Sequence, residues 1–557
     1  MIVYAHNLSS FDGLFLLRHL HYYGKVKPLY FKGKLMSIEL RILGGEHNGK
    51  TIVFKDSYLL LPASLIKLCG AFKVEAYKTQ FPFKLHNLNY NGVFPIFEYW
   101  KGITIESWLL AKEAHGNGIW NFKNEAIKYC QLDCKSLHQV LTSFNKLIFD
   151  NFQINIHSVL TVPSLAMKIY KTHFMPKGSL YQIAGQIEKA IRLSYTGGAV
   201  DVFKPHNKIG LFNNSNKYNK LYYYDVNSLY PFVMKNAPMP IGKPIYFDGN
   251  IRLVEKDAYG FFYCKIISPL DINHPILQRR IVTSEGIRTI AGLGSWEGWI
   301  YSAEMDNAIK HGYTFEILNG YQFNKGNIFS DYINTLYKLR LEYPKPDPMN
   351  LIAKLLMNSL YGKFGMKLTS TKLEMFNTKD EIDNNILSEL IDKLGNTIKD
   401  LVKLDDHVIT IRDSYIYNDE NSFHGIDVNI ALASAITAGA RMWMSAFKNN
   451  PLFNIYYSDT DSIVVDSQLP EFIVGKDLGQ FKLEHTISKA VFLAPKVYGF
   501  ITDEGKEIIK IKGLTNNALV KINFNDLESL LVKDSLMKID QEKWTKKIIM
   551  GDISVNE

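Results

Sequence analysis

The chain has 557 residues, 46% of them hydrophobic and 21% charged, and a formal net charge of +9. This composition is ordinary for a globular protein of three or four domains, and the basic excess is compatible with a polyanionic partner without establishing one. Its 4 cysteines are too few for a disulfide scaffold and include no CxxC pair for a structural zinc site. The sequence has no uninterrupted apolar run of about 18 residues, the length that a membrane-spanning helix needs.

The first part of the chain alternates short apolar strands with helical patterns. Residues 50–72 predict a strand, a turn at Pro62 and an amphipathic helix. Residues 124–148 have strong helical periodicity, which predicts a second helix. This half of the sequence is therefore of the α/β type.

The second part begins after a polar patch at 205–220. LYYYDVNSLY, which follows it, predicts a strand, and the next helical stretch covers 328–365. Residues 371–424 are polar and mixed in charge, which indicates an inserted subdomain. Strand character returns at 454–465, and the C-terminal stretch is rich in lysine.

Two aspartates, Asp459 and Asp461, interrupt this last strand pattern with one Thr between them. Side chains at i and i+2 of a strand or tight hairpin project to one side, so both carboxylates are expected to face one point. Oxygen ligands without His or Cys suit Mg²⁺ or Mn²⁺, and Asp225, at the end of the strand near 221, would complete a three-carboxylate metal cluster. A polar hairpin tip and a helix cap are the alternative interpretations.

A third polar group lies in NLIAKLLMNSLYGKFG. Lys354, Asn358 and Tyr361 stand at i, i+4 and i+7, so they share one face of a predicted helix. The rest of that face is apolar, and burying Lys and Asn there is costly unless an anion such as a triphosphate meets them. The alternative is an amphipathic helix with Lys354 at its solvent edge.

Taken together, these segments resemble the three polymerase motifs of the family B DNA polymerases. DVNSLYP contains Asp225, KLLMNSLYG begins at Lys354, and YSDTDS contains Asp459 and Asp461, in the order and approximate spacing of that family. Because the motifs are ordered and spread over the chain, chance agreement is a poor explanation.

Two further segments extend the resemblance. Lys496 and Tyr498 resemble the family's KxY primer-binding motif, and Tyr195, Gly197 and Gly198 resemble its YxGG segment, which joins the nuclease and polymerase halves. The resemblance covers essentially the whole chain. It is closest to the protein-primed branch found in small tailed phages, adenoviruses and linear plasmids of fungal mitochondria.

The resemblance implies template-directed addition of deoxynucleoside triphosphates (dNTPs) to a primer 3′-hydroxyl, with primer-template DNA and dNTPs as partners and no membrane. It implies that Asp225 and Asp459 hold two Mg²⁺ ions, with Mn²⁺ as an alternative, and that Asp461 assists. Lys354 would contact the triphosphate, with Lys338 and Arg340 as further candidates.

The remaining implied contacts concern the nucleotide and the two strands. Tyr230 would exclude a 2′-hydroxyl, Tyr361 would lie near the nascent base pair, and backbone amides from Val226 to Leu229 would meet phosphate oxygens. The KxY residues would hold the primer and Tyr195 the template, through contacts that position a strand without reading its sequence. The implied nucleotide-binding residues are Tyr230, Lys338, Asn358, Tyr361, Val226, Ser228 and Leu229.

Family B enzymes usually carry a 3′–5′ proofreading exonuclease before the polymerase. Asn7, Phe11 and Asp12 resemble its N…FD motif, and Tyr129 and Asp133 resemble its YxxxD motif. The residues that resemble exonuclease motifs or supporting elements are Asn7, Phe11, Asp12, Ser57, Lys78, Tyr129 and Asp133.

The exonuclease pattern is incomplete. The family's first motif, D-x-E, is expected several tens of residues upstream of Asn7, and none of the six residues that precede Asn7 is acidic. Glu39 and Asp56 lie downstream on other elements and are not expected to replace it. Either the sequence is a truncated reading of a longer gene or proofreading has been lost, and in both cases we expect an exonuclease-like domain with little activity.

The predicted fold is multidomain, α/β and α+β, with an incomplete RNase H-like exonuclease-type domain followed by a right-hand polymerase of palm, fingers and thumb. The predicted boundaries are 1–185 for the exonuclease-like domain, 186–330 and 426–510 for the palm, 331–370 for the fingers, 371–425 for the inserted polar subdomain and 511–557 for a small thumb. The alternative to a polymerase is a catalytically inactive, polymerase-like DNA-binding remnant.

The branch resemblance also implies a partner and a cellular setting. A terminal protein is the expected primer, and a mitochondrial linear plasmid or organelle genome is the expected template. A phage or cytoplasmic element is the alternative.

Overall fold

The computed structural model describes residues 1–31, 34–75, 80–208, 218–284, 286–367, 369–394, 398–404, 407–415, 428–547 and 552–556. Its first unit is a four-stranded sheet in the order β1-β4-β3-β2, with β1 parallel to β4 and the other neighbours antiparallel. The predicted strand, turn and helix of 50–72 are confirmed. The elements are β1 (Ile2–Ala5), α1 (Asp12–Leu20), β2 (Gly24–Phe31), β3 (Lys34–Ile42), β4 (Thr51–Asp56) and α2 (Leu65–Phe72).

A mainly helical layer follows and packs against this sheet. Its longest member contains the predicted helix of 124–148; it begins where the Asn121 side chain accepts the Asn124 amide and ends where Gln153 adopts a left-handed conformation. Its apolar positions recur every three or four residues and pack on α2. The elements are β5 (Asn91–Gly92), α3 (Ile105–His115), β6 (Trp120–Asn121), α4 (Phe122–Phe152), α5 (Val162–His173) and α6 (Gly185–Ser194).

Residues 200–326 supply two strands of a central sheet and a separate four-stranded antiparallel sheet. The latter has the order β13-β10-β14-β9, and a two-stranded hairpin, β11–β12, projects beside it. The elements are β7 (Val200–Val202), β8 (Leu221–Val226), α7 (Leu229–Asn236), β9 (Met239–Asp248), β10 (Gly260–Ile267), β11 (Gln278–Thr283), β12 (Gly286–Ala291), β13 (Ser295–Tyr301), α8 (Ser302–Ile309) and β14 (Thr314–Gly326).

The predicted helical stretch of 328–365 forms two helices, and the polar stretch after it forms a three-stranded sheet with one helix. That small sheet packs on the N-terminal sheet, where Leu373 and Ile409 share a buried cluster with Leu17 and Leu35. The elements are α9 (Ser330–Glu342), α10 (Pro348–Phe364), β15 (Thr369–Asn377), α11 (Glu381–Leu394), β16 (Ile398–Leu404), β17 (His407–Tyr415) and α12 (Ile430–Lys448).

The helix α12 is the apolar centre of the molecule. By length and composition it passes the test for a membrane span, but 78% of the tested window is buried inside the protein. It packs against α6, α7 and α10, and its buried residues belong to one large apolar cluster that also includes residues of α4, α5 and β8. Burial in the core of the protein explains this apolar run.

The C-terminal part completes the central sheet. This sheet has seven strands in the order β22-β21-β20-β8-β19-β18-β7, so β8 lies at its middle between two antiparallel neighbours. The strand character predicted at 454–465 is confirmed as a hairpin. The elements are β18 (Ile455–Asp459), β19 (Ser462–Val465), β20 (Phe481–Ala494), β21 (Val497–Thr502), β22 (Glu507–Ile511), α13 (Asn516–Leu519), α14 (Phe524–Ser529), β23 (Lys543–Lys547) and β24 (Asp552–Asn556).

Candidate active site

The end of β8 and the β18–β19 hairpin bring the predicted carboxylates to one end of the central sheet. Asp225 pairs with Ser462 on one side and Lys482 on the other. Asp459 ends β18, Thr460 turns the chain with a φ of 58°, and Asp461 follows. The Val226 amide donates to the Asp461 carbonyl at 2.8 Å, which joins the hairpin turn to the strand that carries Asp225.

The carboxylates of this site repel one another. Burial, together with the charges of Asp461 and Glu484, raises the pKa of Asp225 to about 7, although Lys354 and Lys482 act in the opposite direction. Burial and the charge of Asp459 also raise the pKa of Asp461. Crowded, partly buried carboxylates of this kind are relieved by a cation, so the donor set fits Mg²⁺ or Mn²⁺.

Asp459 forms an ion pair with Lys496. The Lys496 ammonium donates to both of its carboxylate oxygens, at 2.8 and 2.6 Å. Lys496 has a φ of 65°, and its amide donates to the Tyr457 hydroxyl at 3.0 Å, which fixes the residue beside the hairpin. The sequence did not predict this ion pair.

The predicted three-carboxylate metal cluster is therefore not assembled in this structure. Within the described ranges, no group of three or more His, Cys, Asp or Glu side chains is arranged to hold a metal ion. In this structure the Lys496 ammonium pairs with Asp459, and the charge of Asp461 acts on Asp225.

Lys354 lies on α10 and faces these carboxylates. Its pKa is lowered by partial desolvation of the ammonium and by the charges of Arg340 and Lys345, and is opposed by Asp225 and Glu484. The residue is exposed in a structure without nucleotide, and the charges of Asp225 and Glu484 act on its ammonium. The apolar side of α10 packs on α5 and α9 instead.

The other residues of that helix and of α9 are partly accessible. Asn358 and Tyr361 are half-buried on α10, and Lys338 is exposed on α9. Arg340, not Lys338, is the α9 residue whose charge acts on Lys354.

Two tyrosines connect α10 with the helix that follows β8. The rings of Tyr230 and Tyr361 lie with their centroids 4.2 Å apart at an interplanar angle of 32°. Burial raises the pKa of both phenols, so both remain neutral hydrogen-bonding groups. The structure thus brings together two residues that were predicted to line the nucleotide site.

The turn between β8 and α7 offers fewer free amides than expected. The Val226 amide donates to Asp461 and the Asn227 amide to Gln480, both through backbone carbonyls. The predicted phosphate contact of the Val226 amide is therefore wrong. Ser228 has a φ of 52° and precedes the first residue of α7, Leu229, so the orphan amides of that helix start here.

The YxGG loop, residues 195–198, is locked against the hairpin turn. The Thr460 amide donates to the Ala199 carbonyl at 2.9 Å. A Cβ atom on Gly198 would lie 2.5 Å from both Thr460 Oγ1 and Cγ2, whereas one on Gly197 would meet nothing within 4 Å. Glycine is thus required at 198 by close approach.

Tyr195 anchors the other end of this loop. Its hydroxyl would lie 2.7 Å from a Cβ atom on Gly365, which follows α10, so the tyrosine fills the space that this glycine leaves. Burial raises the pKa of the Tyr195 phenol. The loop therefore touches both the hairpin and the end of the helix that carries Lys354.

The sequence did not predict the buried Arg441–Glu304 ion pair, which supports the YxGG loop from the core of the protein. Arg441 of α12 donates to both carboxylate oxygens of Glu304 at 2.7 Å and to the carbonyls of Thr196 and Gly197 at 2.8 and 3.0 Å. Both charged side chains are buried. A lone Arg inside the apolar run ALASAITAGARMWMSAF was the available signal, because a charge in such a run needs a partner.

Tyr498 of the KxY segment lies in β21, close to the hairpin. Its ring is 5.0 Å from that of Tyr457 and stacks on Phe500 with an interplanar angle of 5°. Burial and the neighbouring Tyr223 raise the pKa of the Tyr498 phenol. Both residues of the segment therefore lie against β18, the strand that ends at Asp459.

In the N-terminal unit, two of the predicted exonuclease aspartates share a cavity. Asp12 and Asp133 line a cavity of about 890 Å³ together with Cys130, Cys134 and His157. The ring of Tyr129 lies 5.2 Å from that of Phe81. The structure therefore brings Asp12 and Asp133 to one cavity, with Tyr129 one helical turn before Asp133 on α4.

The other predicted residues of this unit have structural partners. Asn7 has a φ of 71°, and its amide donates to Asp56, whose carboxylate also accepts from the amides of Ser9 and Tyr58. The Asp56 carboxylate thus accepts hydrogen bonds from three backbone amides and holds the segments around Asn7 and Tyr58 together.

Ser57 is buried and hydrogen-bonds the His6 ring at 3.0 Å. Phe11 is 45% exposed and packs edge-on against Phe15. Lys78 lies outside the described residues.

Comparison with known proteins places these features in a family context. The profile described as "DNA polymerase type B, organellar and viral" matches residues 1–451. A probable DNA polymerase of Neurospora intermedia is 35% identical over 98% of this chain and 56% of its own length, and a DNA-directed DNA polymerase of Enterobacteria phage PRD1 is 24% identical over 92% and 75%. The chain spans about half the length of the first curated relatives it matches.

The fold is also similar to a solved one. The Phi29 DNA polymerase, determined in complex with primer-template DNA and incoming nucleotides, matches with a TM-score of 0.67 at 20% identity, over 100% of this chain and 90% of that one. The multidomain α/β and α+β fold expected from the sequence is confirmed.

The Arg441–Glu304 pair gives the first testable prediction. Arg441→Met leaves Glu304 buried without its counter-ion and is expected to lower the free energy of unfolding by about 3–5 kcal/mol. The double variant Arg441→Met/Glu304→Gln is expected to lose less than the sum of the single variants, as measured by urea denaturation in a double-mutant cycle.

The matched control is Lys393→Met. Lys393 pairs with Glu389 at 3.1 Å, but both side chains are about 70% exposed, so the expected change is about 0.5 kcal/mol or less. Equal losses in Arg441→Met and Lys393→Met would contradict the role assigned to the buried pair.

Proposed function

The chain belongs to the organellar and viral type B DNA polymerases, and on that premise we propose that it extends a primer 3′-hydroxyl with dNTPs under the direction of a DNA template. The observation that carries the proposal is the meeting of Asp225 with the Asp459–Asp461 turn at one end of the central sheet, opposite Lys354. That arrangement joins the cation-binding and anion-binding groups that nucleotidyl transfer needs.

The carboxylates would hold the divalent ions. Asp225 and Asp461 are already coupled, and Asp459 would join them once the Lys496 ammonium moves to another anion. When bound, two Mg²⁺ or Mn²⁺ ions would make the primer hydroxyl more acidic and stabilise the leaving pyrophosphate.

The cations and aromatic rings of the chain would orient the nucleotide. Lys354 and Arg340 would neutralise the triphosphate as charge develops on it. The Tyr230–Tyr361 pair would support the sugar and the nascent base pair, and Tyr230 would leave no room for a 2′-hydroxyl. Asn358 would line the nucleotide site beside these two tyrosines. The amides of Ser228 and Leu229 at the start of α7 would donate to phosphate oxygens.

The DNA contacts would lie on both sides of the hairpin. Lys496 and Tyr498 would hold the primer terminus, since the Lys496 ammonium already lies within hydrogen-bonding distance of Asp459. Tyr195 and the YxGG loop would hold the template strand. The solved Phi29 complex, which contains primer-template DNA and incoming nucleotides, supports both classes of ligand.

The proposal extends to the order of the domains, the priming protein and the cellular location. The strands of the central sheet come from residues 200–226 and 455–511, which supports a palm split by the fingers and the inserted subdomain. The fungal and phage relatives support a polymerase of a mobile element. We propose a mitochondrial setting and priming by a terminal protein. Protein covalently attached to the 5′ ends of the replicated DNA is the observation that tests the priming.

For residues 1–185 we propose an exonuclease-like fold with little nuclease activity. Asp12 and Asp133 are the two carboxylates lining their cavity, and nearby Asp56 is committed to three backbone amides. Release of nucleotides from a single-stranded primer by the wild-type chain, lost in Asp12→Asn, would contradict this.

The metal-binding carboxylates give the central prediction. Asp225→Asn and Asp459→Asn are each expected to reduce Mg²⁺-dependent primer extension at least about a hundredfold, because neither amide replaces the lost charge. Binding of primer-template DNA is expected to persist.

The control for these variants is Asp271→Asn, at an exposed carboxylate on the loop after β10. Primer extension that persists in both Asp225→Asn and Asp459→Asn would contradict the polymerase assignment. A wild-type chain that binds primer-template but never extends it would instead support the inactive DNA-binding alternative.

The contact between Gly198 and Thr460 gives a steric prediction. Gly198→Ala places a methyl group 2.5 Å from the Thr460 side chain and is expected to shift the Asp459–Asp461 turn, lowering the extension rate about tenfold to a hundredfold. Gly197→Ala, with open space around its Cβ, is the matched control.

Rescue of the Gly198→Ala variant tests the cause directly. The second-site change Thr460→Gly removes the colliding side chain at a position whose positive φ suits glycine, so rates are expected to recover. A Gly197→Ala variant as impaired as Gly198→Ala would show that the close approach to Thr460 is not the cause.

A further inference from the structure

A row of aromatic rings crosses one face of the β13-β10-β14-β9 sheet. Trp299 and Tyr321 are stacked with centroids 5.6 Å apart at 16°, and Tyr263 and Tyr246 continue the row at 5.7 and 5.6 Å from these two rings. Tyr246 is 57% exposed. Packing between neighbouring strands explains why the rings stack. It does not explain why Tyr246, at one end of the row, is exposed to solvent.

The β11–β12 hairpin brings two arginines to the β13 edge of this sheet, at the opposite edge from Tyr246. The Arg279 guanidinium lies over the Trp296 ring at 5.2 Å, and Arg280 donates to the carbonyl of Tyr195 in the YxGG loop. Two cavities of about 400 and 480 Å³ share Leu193, Arg280 and Trp299 as lining residues. We call this continuous depression between α6, β13 and the hairpin the Trp299 groove.

The charge of the groove is positive once its ion pairs are counted. Of its acidic lining residues, Glu304 is neutralised by Arg441 and Glu188 by Arg192. Glu297 accepts a hydrogen bond from Tyr263 at 3.0 Å and keeps its charge. It is outweighed by Arg279 and by two exposed residues, Arg280 and Lys189.

Two buried polar atoms in the groove lack partners. Over the described part of the chain, the side-chain oxygen of Gln278 and the Nε of Arg279 make no hydrogen bond. One is an acceptor and the other a donor, and both are shielded from solvent, so only a rearrangement of these side chains would bring them to an occupant that carries both kinds of group. Nucleobase edges and phosphates carry such groups.

We propose that the Trp299 groove binds single-stranded DNA, with bases stacked on its aromatic rings and phosphates held by its arginines. Stacking platforms beside basic side chains are what sequence-independent binding of a single strand requires. Thr196 lines the cavity of about 400 Å³, so the groove reaches the YxGG loop. The inference rests on the proposed polymerase function, which makes either the template strand or a displaced strand the source.

The experiment measures DNA binding by the full chain without nucleotides or divalent ions. The probe is a fluorescein-labelled oligothymidylate about 20 nucleotides long, which exceeds the site size of one such platform. Arg279→Gln and Trp299→Leu are each expected to weaken binding about fivefold or more, while affinity for blunt duplex DNA stays unchanged. Arg288→Gln, on the opposite strand of the hairpin, is the matched control.

The salt dependence separates the two kinds of contact. Arg279→Gln is expected to reduce the slope of log affinity against log salt by about 0.7, the value for one phosphate contact with a single strand. Trp299→Leu is expected to lower the affinity without changing the slope. If Trp299→Leu proves unstable, Arg279→Gln alone carries the test.

Two forked substrates identify the source of the strand. Weakening confined to a primer-template with a long 5′ template overhang identifies the template, and weakening confined to a substrate with a displaced 5′ flap identifies the displaced strand. Single-strand affinities within twofold of the wild type in both variants would overturn the proposal.

Failure of the groove and failure of the polymerase assignment are distinguishable. A wild-type chain that does not extend primers refutes the polymerase, whereas these binding measurements need no extension. Normal primer extension with unaltered single-strand binding in both variants refutes the groove alone.

Discussion

Repulsion between carboxylates at the end of β8 is the constraint around which the protein is built. Asp225 is held at the middle of a seven-stranded sheet, and Asp461 in the β18–β19 turn and Glu484 on β20 act on it. Such a concentration of negative charge destabilises a fold unless cations surround it. Lys354 from α10, Lys482 from β20 and Lys496 before β21 supply that charge from three separate elements.

A second layer of contacts holds this charged centre in place. The glycine at 198 lets the YxGG loop touch Thr460, and Arg441 binds the carbonyls of that loop from the core. Arg441 is in turn oriented by Glu304, 137 residues away in sequence. The position of the Asp459–Asp461 turn therefore depends on a chain of contacts that ends in the buried helix α12 and in the sheet-flanking helix α8.

The sequence predicted well what local patterns encode. Apolar strands ending in Asp225 and in the DTD turn, and the helix from Lys354 to Tyr361, were recoverable because period, turn residues and spacing are local properties. The use of the Val226 amide by Asp461 was not, since it depends on which turn packs beside β8. The Lys496–Asp459 and Arg441–Glu304 pairs join distant segments, and a single sequence carries no measure of such proximity.

The small sheet of β15–β17 has a consequence for synthesis on the ribosome. Leu373 and Ile409 complete the buried cluster of Leu17, Leu35 and Ile38. That cluster therefore stays open until Ile409 has emerged, and at bacterial or eukaryotic elongation rates the wait lasts on the order of 20–80 seconds. During that time the apolar face of the N-terminal sheet is a surface for chaperones. The N-terminal sheet is thus a folding partner of the β15–β17 sheet, and removal of either one would leave their shared apolar cluster incomplete.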